Sequence, residues 1–368
     1  MISKFKKIVI KIGSSSIVDE KNKKIKTSWL RSICDDIHSI HPNKEIVVVC
    51  SGAIALGTKF INNKKPIRRL EDKQAAAAIG QIELAKSWQQ ALKKNKIQTA
   101  QILLTLNDSE VRRRYLNVRK TINALHKKGI IPIINENDSV ATEEIRFGDN
   151  DRLAARVAQM IDAELLILLS DVDGLYSGSP KQNQKAKKIH EVFKVDSRIE
   201  KMASKNLSNF GTGGMTTKIW AAKICMNSGC STVISSSNKD RPLLDISKKN
   251  STWFNSKKTP KSNRKQWLLN HLHPSGSIIV DQGALKALAN NKSLLPAGVV
   301  EIKGRFNRGD VISILSEKNI KLGVGIIAYD SSDAKRIVGK NSNHIKSILG
   351  YEGRDELIHK DDLVKLNQ

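Results

Sequence analysis

The stretch Ile46-Val47-Val48-Val49-Cys50-Ser51-Gly52-Ala53 sets an unbroken apolar run directly before a small hydroxyl and a glycine. A strand that is apolar at consecutive positions has no solvent-facing side, so both of its faces must be covered, as in a parallel sheet between helices. A second such run, Leu165-Leu166-Ile167-Leu168-Leu169, ends in Ser170-Asp171. Around them, β-rich runs near 7–12, 98–104 and 130–134 alternate with helical periodicity near 28–39, 71–94, 109–128 and 150–161. The alternation predicts an α/β parallel-sheet sandwich, whose ligands gather at the carboxyl ends of the strands. The helix near 109–128 is expected to begin at a capping box of Asn107 and Glu110. Val111, Tyr115, Val118, Ile122 and Leu125 would then face inward, with Arg112, Arg113 and Arg114 on the wet side.

Beyond the second apolar run the text changes. From Ile234 to Arg264 it is rich in Ser, Asn and Lys, with Pro242 and Pro260, and from Ser275 it resumes as short β-like runs: Ser277–Val280, Val299–Ile302, Val311–Ile314 and Gly325–Ala328. The 368 residues therefore divide into a catalytic-sized domain over 1–259, a linker over 260–274 and a small, mostly β module over 275–368. No run approaches the 18 or so apolar residues of a membrane span, and the apolar part after Lys4, Lys6 and Lys7 stops at Lys11, too soon for a signal peptide. Cys34, Cys50, Cys225 and Cys230 lack CxxC pairing and read as reduced core thiols. The net charge of +27 invites a nucleic-acid reading. Its distribution argues against one: residues 101–200 hold 16 basic against 15 acidic side chains, and the excess elsewhere is spread as lysine over solvated faces.

Four elements fall at the ends of predicted strands. Val9-Ile10-Lys11-Ile12-Gly13-Ser14 delivers a lysine and then a turn whose amides can approach phosphate, although a solvated lysine beside a turn would read the same. Cys50-Ser51-Gly52-Ala53 offers a hydroxyl and bare amides at a helix start, or no more than an N-cap. Asn135-Glu136-Asn137-Asp138 and Gly148-Asp149-Asn150-Asp151 crowd carboxylates that repel one another unless cations or ligand amines compensate them. Gly211-Thr212-Gly213-Gly214-Met215-Thr216-Thr217-Lys218 is a phosphate-approach loop carrying a second lysine into a helix. Gly52 and Gly57 have Walker spacing, but Thr58 stands where the lysine belongs, and there is no GxGxxG. Two lysines, glycine-rich turns and an acidic cluster point to phosphoryl transfer, which needs positioning and charge neutralisation above all. None of the eight histidines lies in these elements, so no general base is on offer; a carboxylate acceptor, ionised at neutral pH with a reference pKa near about 4, needs none.

The strings VIKIGSSS (9–16), VVVCSGAIALG (47–57), INENDSVATEEIRFGDND (134–151), LLILLSDVDGLY (165–176), GTGGMTTK (211–218), SLLPAGV (293–299) and GRFNRGDV (304–311) together resemble the bacterial glutamate 5-kinases. These have the amino acid kinase fold followed by a PUA-like domain, and the resemblance covers nearly the whole chain. It implies ATP-dependent phosphorylation of the side-chain carboxylate of L-glutamate, with Mg2+, giving L-glutamyl 5-phosphate and ADP in the first step of proline biosynthesis. It also implies a cytoplasmic homo-oligomer, dimer or tetramer, inhibited by proline through the segment 137–147 and handing its product to glutamate-5-phosphate reductase. Carried over residue by residue, it makes Lys11 and Lys218 the neutralising cations, Asp151 the group that aligns them, and Gly13 and Gly52 backbone donors. Glutamate would be held by Ser51, Gly52, Asn135, Asp138, Asp149 and Asn150. The nucleotide would meet Lys11, Gly13, Ser170, Asp171, Thr212, Gly213, Gly214, Met215, Thr216, Thr217 and Lys218. Magnesium would bridge phosphates and waters, so no protein ligand is named. Kinases of N-acetylglutamate, aspartate and uridylate share the fold without the joint strings. A charge of only +3 from Ser275 onward favours a structural or regulatory PUA-like domain over an RNA-binding one.

Overall fold

The computed structural model describes the chain except residues 1, 20, 62–66, 68, 141–149, 179–184, 205–213, 258, 261–273 and 366–368. Two units emerge, Met1–Lys261 and Ser262–Gln368. Among the described residues the first unit is built on one eight-stranded sheet. Its strands are β1 (Lys7–Ile12), β2 (Glu45–Cys50), β3 (Thr99–Leu104), β4 (Ile131–Glu136), β5 (Leu165–Ser170), β6 (Glu191–Val192), β7 (Ser231–Ser236) and β8 (Thr252–Phe254). Their order is β6-β8-β7-β5-β1-β2-β4-β3. The six from β7 to β3 are parallel, while β8 runs antiparallel to β7 and parallel to β6 at the edge. The two continuously apolar strands are central or next to central, and β2 and β5 are buried along nearly their whole length.

Alternate residues sort to opposite faces of the sheet, and each face has its own core. Ile8, Ile10 and Ile12 of β1, with Ile46 and Val48 of β2, pack beneath α1 (Thr27–Ile40) and α3 (Leu70–Lys93), against Leu30, Ile33, Leu84 and Trp88. Val9, Val47, Val49, Leu166 and Leu168 pack beneath α6 (Asn150–Met160) and α8 (Met215–Asn227), and α7 (Ser197–Ser204) adds Ala203 to the same core. Each of these buried aliphatic side chains contributes about 1.5–3 kcal/mol of burial. Lys11 shares the parity of Val9, so the helix pair α6 and α8 covers it. On the other face, α2 (Ala53–Ile61) and α3 touch backbone to backbone: a Cβ on Gly57 would lie 1.8 Å from the Ala76 carbonyl oxygen, and one on Gly80 1.9 Å from that of Ala53. Only glycine permits that crossing.

The helix expected near 109–128 starts earlier and is broken. It forms α4 (Leu106–Glu110) and α5 (Arg112–Lys127), with Val111 at φ −75° and ψ 111° between them and exposed rather than turned inward. The capping box is Thr105 with Asp108, not Asn107 with Glu110: the Thr105 amide and hydroxyl both donate to Asp108 Oδ2 at 2.7 Å. Thr105 leaves β3 in extended conformation and can cap, whereas Asn107 is already helical. Arg113 and Arg114 are exposed as expected, and the Arg112 side chain lies outside the described residues. Cys34, Cys50, Cys225 and Cys230 are buried and free. No helix among the described residues is long and apolar enough to cross a membrane.

The second unit is a five-stranded sheet in the order β10-β9-β11-β12-β13: β9 (Gly276–Val280), β10 (Val299–Gly304), β11 (Val311–Ser316), β12 (Lys321–Ile326) and β13 (Leu363–Lys365). Ile278, Val280, Leu294, Ile312, Ile314 and Tyr329 form its separate core. The strand expected at 325–328 instead spans Lys321–Ile326, because the tight turn after β11 starts antiparallel pairing at Leu315 with Lys321. Pairing draws in residues that the apolar pattern alone leaves out.

Candidate active site

Six parallel strands place six carboxyl ends along one edge of the sheet, and the predicted elements meet there. Lys11 is the penultimate residue of β1, Ser51 and Gly52 follow β2, Asn135 and Glu136 end β4, and Ser170 ends β5. The amino termini of α6 and α8 approach the same edge, bringing Asn150, Asp151, Thr217 and Lys218. Gly52 has φ +114°, and a Cβ there would sit 2.9 Å from Val18 Cγ2, so this turn requires glycine.

At the centre one carboxylate lies between two ammonium groups. Lys11 Nζ is 2.6 Å from Asp151 Oδ1, and Lys218 Nζ is 3.0 Å from Asp151 Oδ2, which also accepts from Thr217 Oγ1 at 2.9 Å. Lys11, Asp151 and Lys218 are 6%, 1% and 4% exposed. Burial alone would raise the Asp151 carboxyl, but the Lys11 and Lys218 charges and their hydrogen bonds hold it well below the usual carboxylate range. Two ammonium groups and one carboxylate leave this desolvated triad with a net positive charge, which suits an anion that spreads charge over several oxygens. Arg152 and Arg156 stand over the Trp220 ring, with guanidinium carbons 4.5 and 5.8 Å from its centroid, and so tie α6 to α8.

Beside the triad lies a chain of amides. Asn150 Nδ2 donates to the Cys50 carbonyl oxygen at 2.7 Å, to Ser51 Oγ at 2.8 Å and to Asn135 Oδ1 at 2.8 Å. Asn135 Nδ2 in turn donates to Gln81 Oε1 of α3 at 2.8 Å. Asn150 and Asn135 are almost fully buried, yet Asn150 Oδ1 has no hydrogen-bond partner among the described residues, an arrangement that folding alone does not reward. Asp138, two residues beyond β4, is buried too, and burial pushes its carboxyl up to about 6.

Among the residues expected at a nucleotide site, Ser170 is buried and donates to Asp171 Oδ1 at 2.8 Å, while Asp171 is exposed. Thr216 is exposed; the Thr217 hydroxyl is occupied by Asp151 and by the Gly214 carbonyl oxygen at 2.9 Å. The Met215 side chain packs into the core beneath α8, which leaves its backbone for any ligand contact. Gly13 and Gly214 have open space above them: a Cβ on Gly13 would meet nothing nearer than Lys11 Nζ at 3.9 Å, and one on Gly214 nothing within 4 Å. Asp149, Thr212 and Gly213 lie outside the described residues. Gln81 and the Arg152–Trp220 pair escape sequence reasoning, because a glutamine on an amphipathic helix and an arginine after a motif look like ordinary surface residues.

Residues 6–236 match the family model described as the amino acid kinase family, and residues 276–349 match that of the PUA domain. The chain is 50% identical over 360 residues to a glutamate 5-kinase of Agrobacterium fabrum (strain C58), covering 97% of this chain and 92% of that one. It is 47% identical over 361 residues to a glutamate 5-kinase of Paramagnetospirillum magneticum, covering 98% and 97%. A third such protein, from Sinorhizobium fredii, is 48% identical over 365 residues, covering 99% and 93%.

Proposed function

The chain belongs to the glutamate 5-kinases of the amino acid kinase family, with a C-terminal PUA domain, and from that premise we propose how its own residues phosphorylate L-glutamate with ATP. The observation that carries the reading is the buried Lys11–Asp151–Lys218 triad at the sheet edge. An oxygen of the ionised glutamate side-chain carboxylate attacks the γ-phosphorus. The new P–O bond forms as the bond to the β,γ-bridging oxygen breaks, and ADP leaves with that electron pair. No proton moves, so the want of a nearby histidine costs nothing. Lys11 and Lys218 neutralise the oxygens of the transferring group, and Asp151 with Thr217 holds the two ammonium groups apart and in register. The amides after β1 and at the start of α8 receive phosphate oxygens, and Ser170, Asp171 and the loop 212–218 hold the rest of the nucleotide. Glutamate sits over the amide chain with Ser51 and Gly52. Asn150 Oδ1 and the Asp138 and Asp149 carboxylates meet its α-ammonium group, and side-chain amides meet its α-carboxylate.

Among the described residues no three His, Cys, Asp or Glu side chains cluster to hold a metal, and both Asp151 oxygens face lysines. The described carboxylates thus do not build a magnesium cage, and in this reading Mg2+ belongs to the ATP phosphates that bring it. A homo-oligomer, inhibition by proline and hand-over of the labile acyl phosphate to a reductase complete the family reading. The segment that would sense proline lies largely outside the described residues.

The test is ATP-dependent hydroxamate formation with hydroxylamine, offering glutamate, aspartate and N-acetylglutamate in parallel, with proline added to one set. Signal with free glutamate alone is expected, suppressed by proline. Absence of signal with every acceptor from folded protein would overturn the reading.

Two further outcomes follow from the same geometry. Gly13→Ala is expected to leave Tm unchanged, since Gly13 has φ −74° and a Cβ meets nothing tighter than ordinary contact. That methyl group nevertheless occupies the space in front of Lys11 Nζ, and kcat/KM should fall about 10²-fold, the scale of displacing a reacting group by about 1 Å. Unchanged turnover would place the phosphoryl group elsewhere. For Asp138, a carboxyl raised to about 6 is protonated below that pH, which removes the charge that meets the α-ammonium group. Thus kcat/KM for glutamate should fall as pH drops through about 6. Asp138→Asn should be low throughout and lack that limb. The stability sign is opposite to that of a salt-bridged acid: between the ordinary carboxylate value of 3.8 and about 6 the folded state holds the extra proton, so stability declines as pH rises through that window.

A further inference from the structure

The amide chain has a direction, and the chemistry of its inner end sets it. The Cys50 carbonyl oxygen can only accept, so the Asn150 atom facing it at 2.7 Å must be the donor, Nδ2. Its two hydrogens serve three acceptors, and the Asn135 atom 2.8 Å away must therefore be Oδ1, because two amide nitrogens would oppose donor to donor. Asn135 Nδ2 is then turned outward, toward α3, where Gln81 Oε1 meets it at 2.8 Å. Each amide is oriented by its neighbour, from a backbone carbonyl at the sheet edge to one side chain on a helix.

Gln81 stands where it does for a backbone reason. Gly80, the preceding residue, lies against the Ala53 carbonyl oxygen, and Gly57 lies against Ala76, so the α2–α3 crossing fixes the height of this turn of α3 over the end of β4. The outcome of the chain is the orphan: with Nδ2 of Asn150 fully engaged, its buried Oδ1 is held as an acceptor with no partner among the described residues. Were the Asn135 amide to turn over, its NH2 would oppose Asn150 Nδ2. Asn150 would then have to turn as well, setting Oδ1 against the Cys50 carbonyl and offering the ligand a donor in place of an acceptor.

We infer that Gln81 is a positioning residue for the acceptor site: by accepting from Asn135 at the outer end of the chain it reinforces the orientation that the Cys50 carbonyl sets at the inner end, holds the Asn135 and Asn150 amides in place, and so keeps Asn150 Oδ1 available to the ammonium group of the amino-acid substrate. The inference rests on the glutamate kinase reading given above. It predicts an effect confined to one substrate, because the relay leads to Asn150 and Ser51 and not to Lys11 or Lys218.

The full chain is assayed by hydroxamate formation, with KM for glutamate and for ATP determined separately and Tm recorded for each variant. Gln81→Leu, a helix-compatible side chain of similar length without an acceptor, is expected to raise KM for glutamate about tenfold, the scale of one lost buried hydrogen bond with its misoriented partner. Its kcat and its KM for ATP should stay within about twofold of the parent on the same scale. Gln81→Ala, which empties the position instead of refilling it, should show the same split. Gln81→Glu retains an oxygen acceptor for Asn135 Nδ2 and should lie closer to the parent than Gln81→Leu, whereas a packing role would make the added charge the more damaging change. Gln89→Leu, two turns along the exposed side of α3, controls for general effects on the helix. An unchanged KM for glutamate in Gln81→Leu, an equal loss for both substrates, or a Gln81→Glu variant worse than Gln81→Leu overturns the inference while leaving the kinase reading intact. A parent protein inactive with glutamate removes the reading and the inference together.

Discussion

Lys218→Ala is expected to lower kcat by about 10²–10³-fold or more, equivalent to about 3 kcal/mol or more of lost transition-state stabilisation, with a much smaller change in KM for glutamate. The lysine sits in the first turn of α8, is 4% exposed, and reaches Asp151 at 3.0 Å. Removing it leaves the 2.6 Å Lys11–Asp151 pair in place, so the variant should fold, but the triad becomes electrically neutral. A neutral pair has no charge to offer when negative charge migrates from the transferring phosphoryl toward the leaving oxygen. Lys218→Arg should not restore the rate, because a planar guanidinium is too wide for a site this closed and cannot reproduce the point contact of an ammonium group. Steady-state kinetics by the hydroxamate assay, with circular dichroism to verify folding, decides the matter. A folded Lys218→Ala protein with near-parental kcat would remove the lysine from the chemistry.

Much of this arrangement is legible in the sequence. The all-apolar runs at 46–49 and 165–169 require a two-sided sheet, and a parallel sheet puts its loops at one edge, where chemistry-bearing strings sit either at strand ends, as Ser51 and Ser170 do, or at the helix starts that carry Asp151 and Lys218. Proximity among Lys11, Asp151 and Lys218, far apart in the chain, was implied by the family resemblance alone; in the structure the three side chains meet at one sheet edge. Orientation was not legible. Sequence spacing does not say that the Thr217 hydroxyl turns onto Asp151, that Met215 points into the core, or which way a buried amide faces, since each depends on the partners that another element happens to supply. Gln81 is the clearest instance: nothing in the periodicity of α3 distinguishes it from Gln89 or Gln90. It is singled out only by the glycine-mediated approach of α3 to α2. Element limits failed for a related reason. Thr105 took the cap that Asn107 was expected to provide because it left the strand in the right backbone conformation, and Lys321 joined a strand because its hairpin partner was already paired.

Asp151→Asn is the change expected to cost most in stability as well as rate. The substitution preserves size and can still meet Thr217, but it leaves the Lys11 and Lys218 ammonium groups buried together without the carboxylate that both contact. Removing one partner from a buried ionic cluster costs about 3–5 kcal/mol, because the charges left behind were desolvated on the understanding of a counter-ion. Tm should therefore fall clearly, and kcat should fall with it as the lysines separate. The pH signature follows from the depressed Asp151 carboxyl. Its contribution is present above the ordinary carboxylate value of 3.8 and is lost as pH falls toward the lower folded-state value, so the variant should lack that part of the parent's acid sensitivity. A further consequence separates electrostatics from packing. In the variant, a phosphate-bearing ligand supplies the missing negative charge, so ATP or inorganic phosphate should raise its Tm by more than it raises the parent's, through preferential binding to the folded state. A packing defect would not respond to anions in that way, and an Asp151→Asn protein with parental Tm would show that the two lysines are held by something other than the carboxylate between them.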